Sequence, residues 1–70
     1  MKWIVELTAN GKIEIDEYGS RVMAQENFKS GKRLLLNLAD MTPELEVSGT
    51  LTETDDNGTN RVIAAFTNQK

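Results

Sequence analysis

The sequence contains no cysteine and no histidine among its 70 residues. Without cysteine the chain can form neither a disulfide nor a structural zinc–thiolate site. Without histidine as well, it lacks an imidazole base, a thiolate nucleophile and the usual ligand set for transition metals. The composition therefore predicts a protein that is not an enzyme and that binds no metal and no other cofactor. The absence of cysteine also fits a cytoplasmic location.

Aromatic residues and long apolar runs are scarce too. The chain has one tryptophan, one tyrosine and two phenylalanines, and its hydrophobic fraction of 39% is low for a globular protein. No apolar run is long enough for a membrane span or a signal peptide. A chain this short buries only about 60% of the surface that its unfolded form exposes. We therefore expect one domain, 1–70, with 68–70 as a flexible tail, no membrane association, and added stability from forming a homodimer.

The charge balance is mildly acidic. Eleven acidic residues against eight basic ones give a net charge of −3. This balance disfavours non-specific binding to nucleic acid or to anionic lipid. Three of the basic residues nevertheless lie close together, Lys29, Lys32 and Arg33, and predict a local positive patch.

Turn-forming residues divide the chain at regular intervals, and apolar and polar residues alternate between them. Asn10-Gly11 is the strongest turn signal, because a type I′ turn requires positive φ at both central residues. The alternation predicts strands, since successive side chains of a strand point to opposite faces. Gly49, inside one of these segments, predicts a bulge or a sharp bend. The predicted strands are 2–9, 12–16, 20–30, 33–38, 45–54 and 61–67.

Six short strands predict an all-β fold, an antiparallel meander that forms a barrel or a strongly bent sheet and so hides its edges. Residues 20–30 allow a second interpretation. Ser20 suits a helix N-cap and Gly31 a position just after a helix, whereas the alternation of the apolar residues favours a strand. The alternative fold is α+β, with the order ββαβββ and one helix at 20–30 packed on an antiparallel sheet.

The polar face of the predicted strands carries apolar residues that have no place in the core. Such a surface indicates association with another protein or with a second copy. We therefore expect a small protein-binding or regulatory accessory module, of a kind found in bacteria and their phages, that self-associates through an apolar strand face. The predicted interface residues are Ile4, Met23, Leu35 and Ile63.

The alternative function is binding of single-stranded nucleic acid by a small β-barrel. Its contacts would be Lys29, Lys32 and Arg33, on a predicted basic hairpin loop at 29–33, with Phe28 and Tyr18 as candidate stacking residues. Against this hypothesis, the position of Phe28 in the alternation predicts a core residue.

Carboxylates offer little for catalysis or for metal binding. Glu17 and Glu26 are the two that the pattern places where they could be partly buried. The acidic segment 53–58 resembles the start of a calcium loop, but Ala64 stands where the bidentate glutamate should be. The same residues suit the tip of a hairpin, so we expect a turn there.

Overall fold

The computed structural model describes residues 1–69 and shows one open sheet of four strands with a single helix on one face. The strand order is β2-β1-β3-β4, and every neighbouring pair is antiparallel. Two hairpins therefore meet through their first strands at the centre of the sheet, and the helix connects them. The elements are β1 (Lys2–Ala9), β2 (Lys12–Tyr18), α1 (Arg21–Met41), β3 (Val47–Thr54) and β4 (Asn60–Thr67).

The predicted six-strand barrel is wrong, because the segments 20–30 and 33–38 form one continuous helix of 21 residues. The α+β alternative is partly right. Ser20 is the N-cap, and its side chain accepts a hydrogen bond from the backbone N–H of Met23 at 3.4 Å. The helix does not stop at Gly31, however, and the strand predicted after it is the second half of α1. The order is ββαββ, and the sheet keeps two free edges, β2 and β4.

The buried face of α1 explains why the helix continues through a glycine. A Cβ atom at Gly31 would lie 2.5 Å from Cδ1 of Leu7, so the absence of a side chain lets α1 approach β1 closely. A glycine inside a helix costs about 1 kcal/mol relative to alanine, and packing against the sheet offsets that cost. The residues of the buried face recur every three or four positions, as one side of a helix requires. They are Ala24, Phe28, Gly31, Leu35 and Ala39.

The core lies between α1 and the two central strands. Val5 is 2% exposed, and Trp3 and Leu7 on the same strand pack against the core cluster, so these alternate residues of β1 face the helix. Phe28 on α1 meets Phe66 on β4 edge to face, with ring centroids 5.6 Å apart. This aromatic contact ties the helix to the outer strand β4.

The β1–β2 turn is confirmed and decides which face of β2 is apolar. Both central residues, 10–11, have positive φ, 49° and 81°. A two-residue turn pairs Leu7 with Glu14 across the hairpin, so the even-numbered residues of β2 face the helix. Ile13 and Ile15 therefore lie on the helix-free face, 59% and 62% exposed, although apolar residues that alternate with polar ones are typical of the buried side of a strand.

The bulge predicted at Gly49 is also wrong. Gly49 stands in regular register between Leu7 and Phe66. The irregularity of the β3–β4 pairing lies instead between Leu51 and Thr52. Gly49 is required for close packing rather than for a bend.

Asn68, in the predicted flexible tail 68–70, holds the end of β4 to the start of β3. Its backbone N–H donates to the carbonyl of Val47 at 3.2 Å, and its side-chain oxygen accepts from the N–H of Val47 at 2.9 Å. Its side-chain nitrogen donates to the carbonyl of Leu45 at 2.6 Å. Lys70 lies outside the described residues. Within residues 1–69, no helix is long and apolar enough to cross a membrane.

We expect Gly49→Ala to lower the free energy of unfolding by about 2 kcal/mol, within the range that overpacking of a core typically costs. The added Cβ would overlap the ring of Phe66 and lie 2.9 Å from Cδ2 of Leu7. Urea denaturation measures the change. The matched control is Gly19→Ala, since a Cβ at Gly19 meets nothing within 4 Å. Its effect should stay below about 0.5 kcal/mol, and equal losses in both variants would contradict the packing role of Gly49.

Candidate functional site

The helix leaves open space on both of its flanks. It packs over the central strands β1 and β3, so one flank overhangs β2 and the other overhangs β4. A groove runs along each flank. The two grooves differ in chemistry, because successive helix residues are rotated by about 100° and each flank takes its own set of side chains.

On the β2 side, an open groove of about 610 Å³ separates the second half of α1 from the β1–β2 hairpin. We call it the hairpin groove. Its walls are largely apolar, and Lys12 and Glu14 supply charges of opposite sign. The groove lies where the helix-facing positions of β2 are the charged Lys12 and Glu14, which are exposed and do not pack beneath α1. The lining residues include Leu7, Lys12, Glu14, Gly31, Leu34 and Leu35.

Beside this groove, the helix presents a row of exposed apolar side chains. Leu34, Leu38 and Met41 are spaced by four and three residues, which places them on one side of the helix. Leu34 is 61% exposed and Met41 is 78% exposed. We call these three residues the leucine face. The sequence interpretation missed it, because the leucines were assigned to a strand, although the spacing is visible once the segment is known to be helical.

On the β4 side, a smaller cavity of about 320 Å³ opens between α1 and the strands β3 and β4. We call it the basic slot. Three basic side chains from one flank of the helix lie along it, Arg21, Lys29 and Lys32. Among residues 1–69, no carboxylate is within ion-pair distance of these three. The other lining residues are Gln25, Phe28, Leu51, Ile63 and Ala64.

The residues predicted to contact nucleic acid lie on α1 and not on a hairpin loop. Lys29 and Lys32 line the basic slot, and with Arg33 they also line a second hollow of about 320 Å³ further along the helix. The two candidate stacking residues are not available beside them. Phe28 is 5% exposed, and Tyr18 lies on β2 at the other edge of the sheet.

The four predicted interface residues do not share one surface. Ile4 lies on the helix-free face of the sheet, opposite Thr52. Leu35 lines the hairpin groove, and Ile63 lines the basic slot. Met23 is exposed on α1. Their common position in a strand pattern disappears because the helix carries two of them.

Neither of the carboxylates singled out from the sequence is buried. Glu17 and Glu26 are both exposed. Glu53, which the sequence interpretation did not consider, has a side chain only 11% exposed. It accepts hydrogen bonds from Nε1 of Trp3 at 3.2 Å and from Nη2 of Arg61 at 3.0 Å, so it joins β1, β3 and β4. Within residues 1–69, no group of three or more acidic side chains could hold a metal ion.

No known protein family, curated protein or solved structure matches the chain.

Among residues 1–69, one titrating group is clearly perturbed, and it lies in the β3–β4 turn rather than in either groove. The N-terminal ammonium donates a hydrogen bond to Oδ1 of Asp56 at 2.7 Å. This hydrogen bond, together with the positive charge, lowers the pKa of the Asp56 carboxyl below its ordinary value of 3.8. A carboxyl whose pKa is lowered by folding stabilises the protein above its ordinary pKa, and the contribution is lost as the pH falls through the lowered value.

Acetylation of the N-terminus should therefore return the pKa of Asp56 to its ordinary value of 3.8. Carboxyl-carbon NMR titration of the free and acetylated chains measures this shift. The acetylated chain should be the less stable one near about pH 6, and the difference should vanish near about pH 2. Backbone amide shifts of the sheet serve as the control for an unchanged fold. An Asp56 titration that is the same in both samples would contradict the ion pair.

Proposed function

We propose that the protein is a non-catalytic interaction module that self-associates through the leucine face and the hairpin groove. The observation that carries the proposal is an excess of exposed over buried apolar side chains. Among the described residues, the buried apolar set has six members, two of them alanines, whereas nine large apolar side chains are exposed. Three of those nine form the leucine face.

The total surface supports the same conclusion. The accessible area is 5007 Å² for a mass of 7.8 kDa. A compact monomer of this mass exposes about 4,400 Å², so the excess is about 600 Å². Each partner in a protein–protein interface of standard size contributes about 800 Å². The excess area is therefore comparable to what a small dimer interface would remove from water.

The shape of this surface suits a two-fold interface. Such an interface brings the same patch of two copies together, so the patch must be complementary to itself. Here an apolar ridge, the leucine face, adjoins an apolar groove, and the ridge of each copy can enter the groove of the other. The charges in the groove fit as well, since Lys12 of one copy can pair with Glu14 of the second copy and the reverse.

The helix-free face of the sheet is less suitable for contact with a second copy. It carries the exposed Ile13, Ile15 and Val62, but also Glu6 and Glu17 in the same phase of β1 and β2. Placing this face on itself would bring Glu6 of both copies together, and like charges in contact are destabilising, whereas Glu17 already has Lys2 at 3.6 Å. On the helix side, Lys12 lies in the groove beside Glu14, so each carboxylate there can meet an opposite charge.

Sedimentation equilibrium should show the wild-type protein as a dimer, with twice the mass of the 7.8 kDa chain. Leu34→Lys should weaken the dimer about a hundredfold, because each of two copies loses about 1.5 kcal/mol of apolar burial. The variant should remain folded by circular dichroism, since Leu34 is 61% exposed and lysine is a good helix former.

The matched control is Val62→Lys. Val62 is 59% exposed and lies on β4, away from the leucine face, so this variant should remain dimeric. A wild-type protein that is monomeric at every concentration would overturn the proposal. Dissociation by Val62→Lys but not by Leu34→Lys would move the interface to the sheet.

A further inference from the structure

We propose that the basic slot binds an acidic peptide segment of a partner protein, with one large apolar side chain of that segment entering the cavity. The site lies on the opposite flank of α1 from the leucine face. It is therefore a second binding surface, and it does not depend on self-association.

The charges along the slot indicate the charge of the ligand. Arg21, Lys29 and Lys32 lie on one flank of the helix, and among residues 1–69 no carboxylate pairs with them. The protein as a whole carries a net charge of −3, so this concentration of positive charge is local. A cleft lined by one sign of charge attracts ligands of the other sign. The ligand is therefore anionic.

The apolar floor of the slot indicates a second property of the ligand. Phe28, Leu51, Ile63 and Ala64 supply apolar walls around a cavity of about 320 Å³. A simple anion would leave these walls in contact with water. Binding sites that combine apolar walls with a few charged groups select ligands with both features. The ligand therefore carries an apolar group next to its negative charges.

The basic residues Arg21, Lys29, Lys32 and Arg33 follow one another along α1, and we call them the basic track. The length of this track favours an extended segment over a small molecule as the ligand. Twelve residues of helix separate Arg21 from Arg33, a distance of about 18 Å. The second hollow, beside Lys32 and Arg33, continues the track beyond the slot. An extended peptide covers this distance with about five or six residues.

A peptide fits the slot better than single-stranded nucleic acid does. Sites for single strands join a basic groove to aromatic rings on which bases stack. The only aromatic residue lining the slot among the described residues is Phe28, which is 5% exposed and packed against Phe66. An aliphatic or aromatic side chain can fill the cavity without a free ring surface, whereas base stacking cannot occur there.

The test uses a fluorescein-labelled peptide, Asp-Glu-Asp-Phe-Asp-Glu-Asp, and measures fluorescence anisotropy at low salt. Binding should saturate and should weaken as salt is added, because salt screens exposed charges. A peptide with serine in place of phenylalanine should bind at least about fivefold more weakly, because it cannot bury an apolar side chain.

Two pairs of variants separate the contribution of the basic charges to peptide binding from that of the apolar cavity. Lys29→Glu should weaken peptide binding about tenfold, whereas Lys2→Glu, an equal charge change on β1, should alter it less than about twofold. Ala64→Leu should weaken binding at least about fivefold by filling the cavity without changing the charge. Its control is Ala65→Leu, an exposed neighbour on β4 that does not line the slot.

Three results would overturn the proposal. The first is an absence of saturable peptide binding. The second is an equal loss in Lys29→Glu and Lys2→Glu, which would indicate attraction by overall charge only. The third is tighter binding of oligothymidine than of the peptide, with the same dependence on Lys29, which would make the slot a nucleic-acid site.

Discussion

The position of the helix depends on one close contact, in which Leu7 lies between two glycines. A Cβ atom at Gly31 of α1 would lie 2.5 Å from Cδ1 of Leu7, and one at Gly49 of β3 would lie 2.9 Å from its Cδ2. Because neither glycine has a side chain, Leu7 fills the space where the helix meets the two central strands. A side chain at either position would overlap the side chain of Leu7, which would have to shift. The two glycines therefore let the helix and β3 pack closely around Leu7.

Both candidate surfaces follow from this central position. A helix with its side chains is about 10 Å wide, and strands lie about 4.8 Å apart, so one helix covers the two middle strands of a four-stranded sheet. The outer strands are left without a complete apolar cover. On the β2 side the chain places charged residues beneath the overhang, and the space remains as the hairpin groove. On the β4 side Phe66 fills part of the space, and what is left is the basic slot.

The sequence was sufficient to predict the strands outside 20–38 and the turn at 10–11, because alternation and turn residues are local signals. The helix was missed for a tertiary reason. Its buried residues Ala24, Phe28, Leu35 and Ala39 lie on both sides of Gly31, so their helical spacing is visible only when the helix is taken to continue through that glycine. The helix tolerates Gly31 where Leu7 packs closely against it, and this contact is not visible in the local sequence. The orientation of Ile13 and Ile15 could have been deduced, since a two-residue turn pairs odd with even positions. The basic slot could not be deduced from the sequence. Its lining brings α1 next to Ile63 and Ala64, and that proximity depends on the order of the strands in the sheet, which no local pattern specifies.

The two flanks of α1 can act independently. Within the described part of the chain, 1–69, no residue lines both the hairpin groove and the basic slot, and the buried face of α1 that includes Phe28 and Gly31 separates them. Sites without shared contacts generally contribute additively. A dimer formed through the leucine face would leave the basic slot of each copy on the outer flank of its helix. A partner with two acidic segments would then bind the dimer with an avidity that neither slot provides alone, and self-association would strengthen partner binding without any new contact.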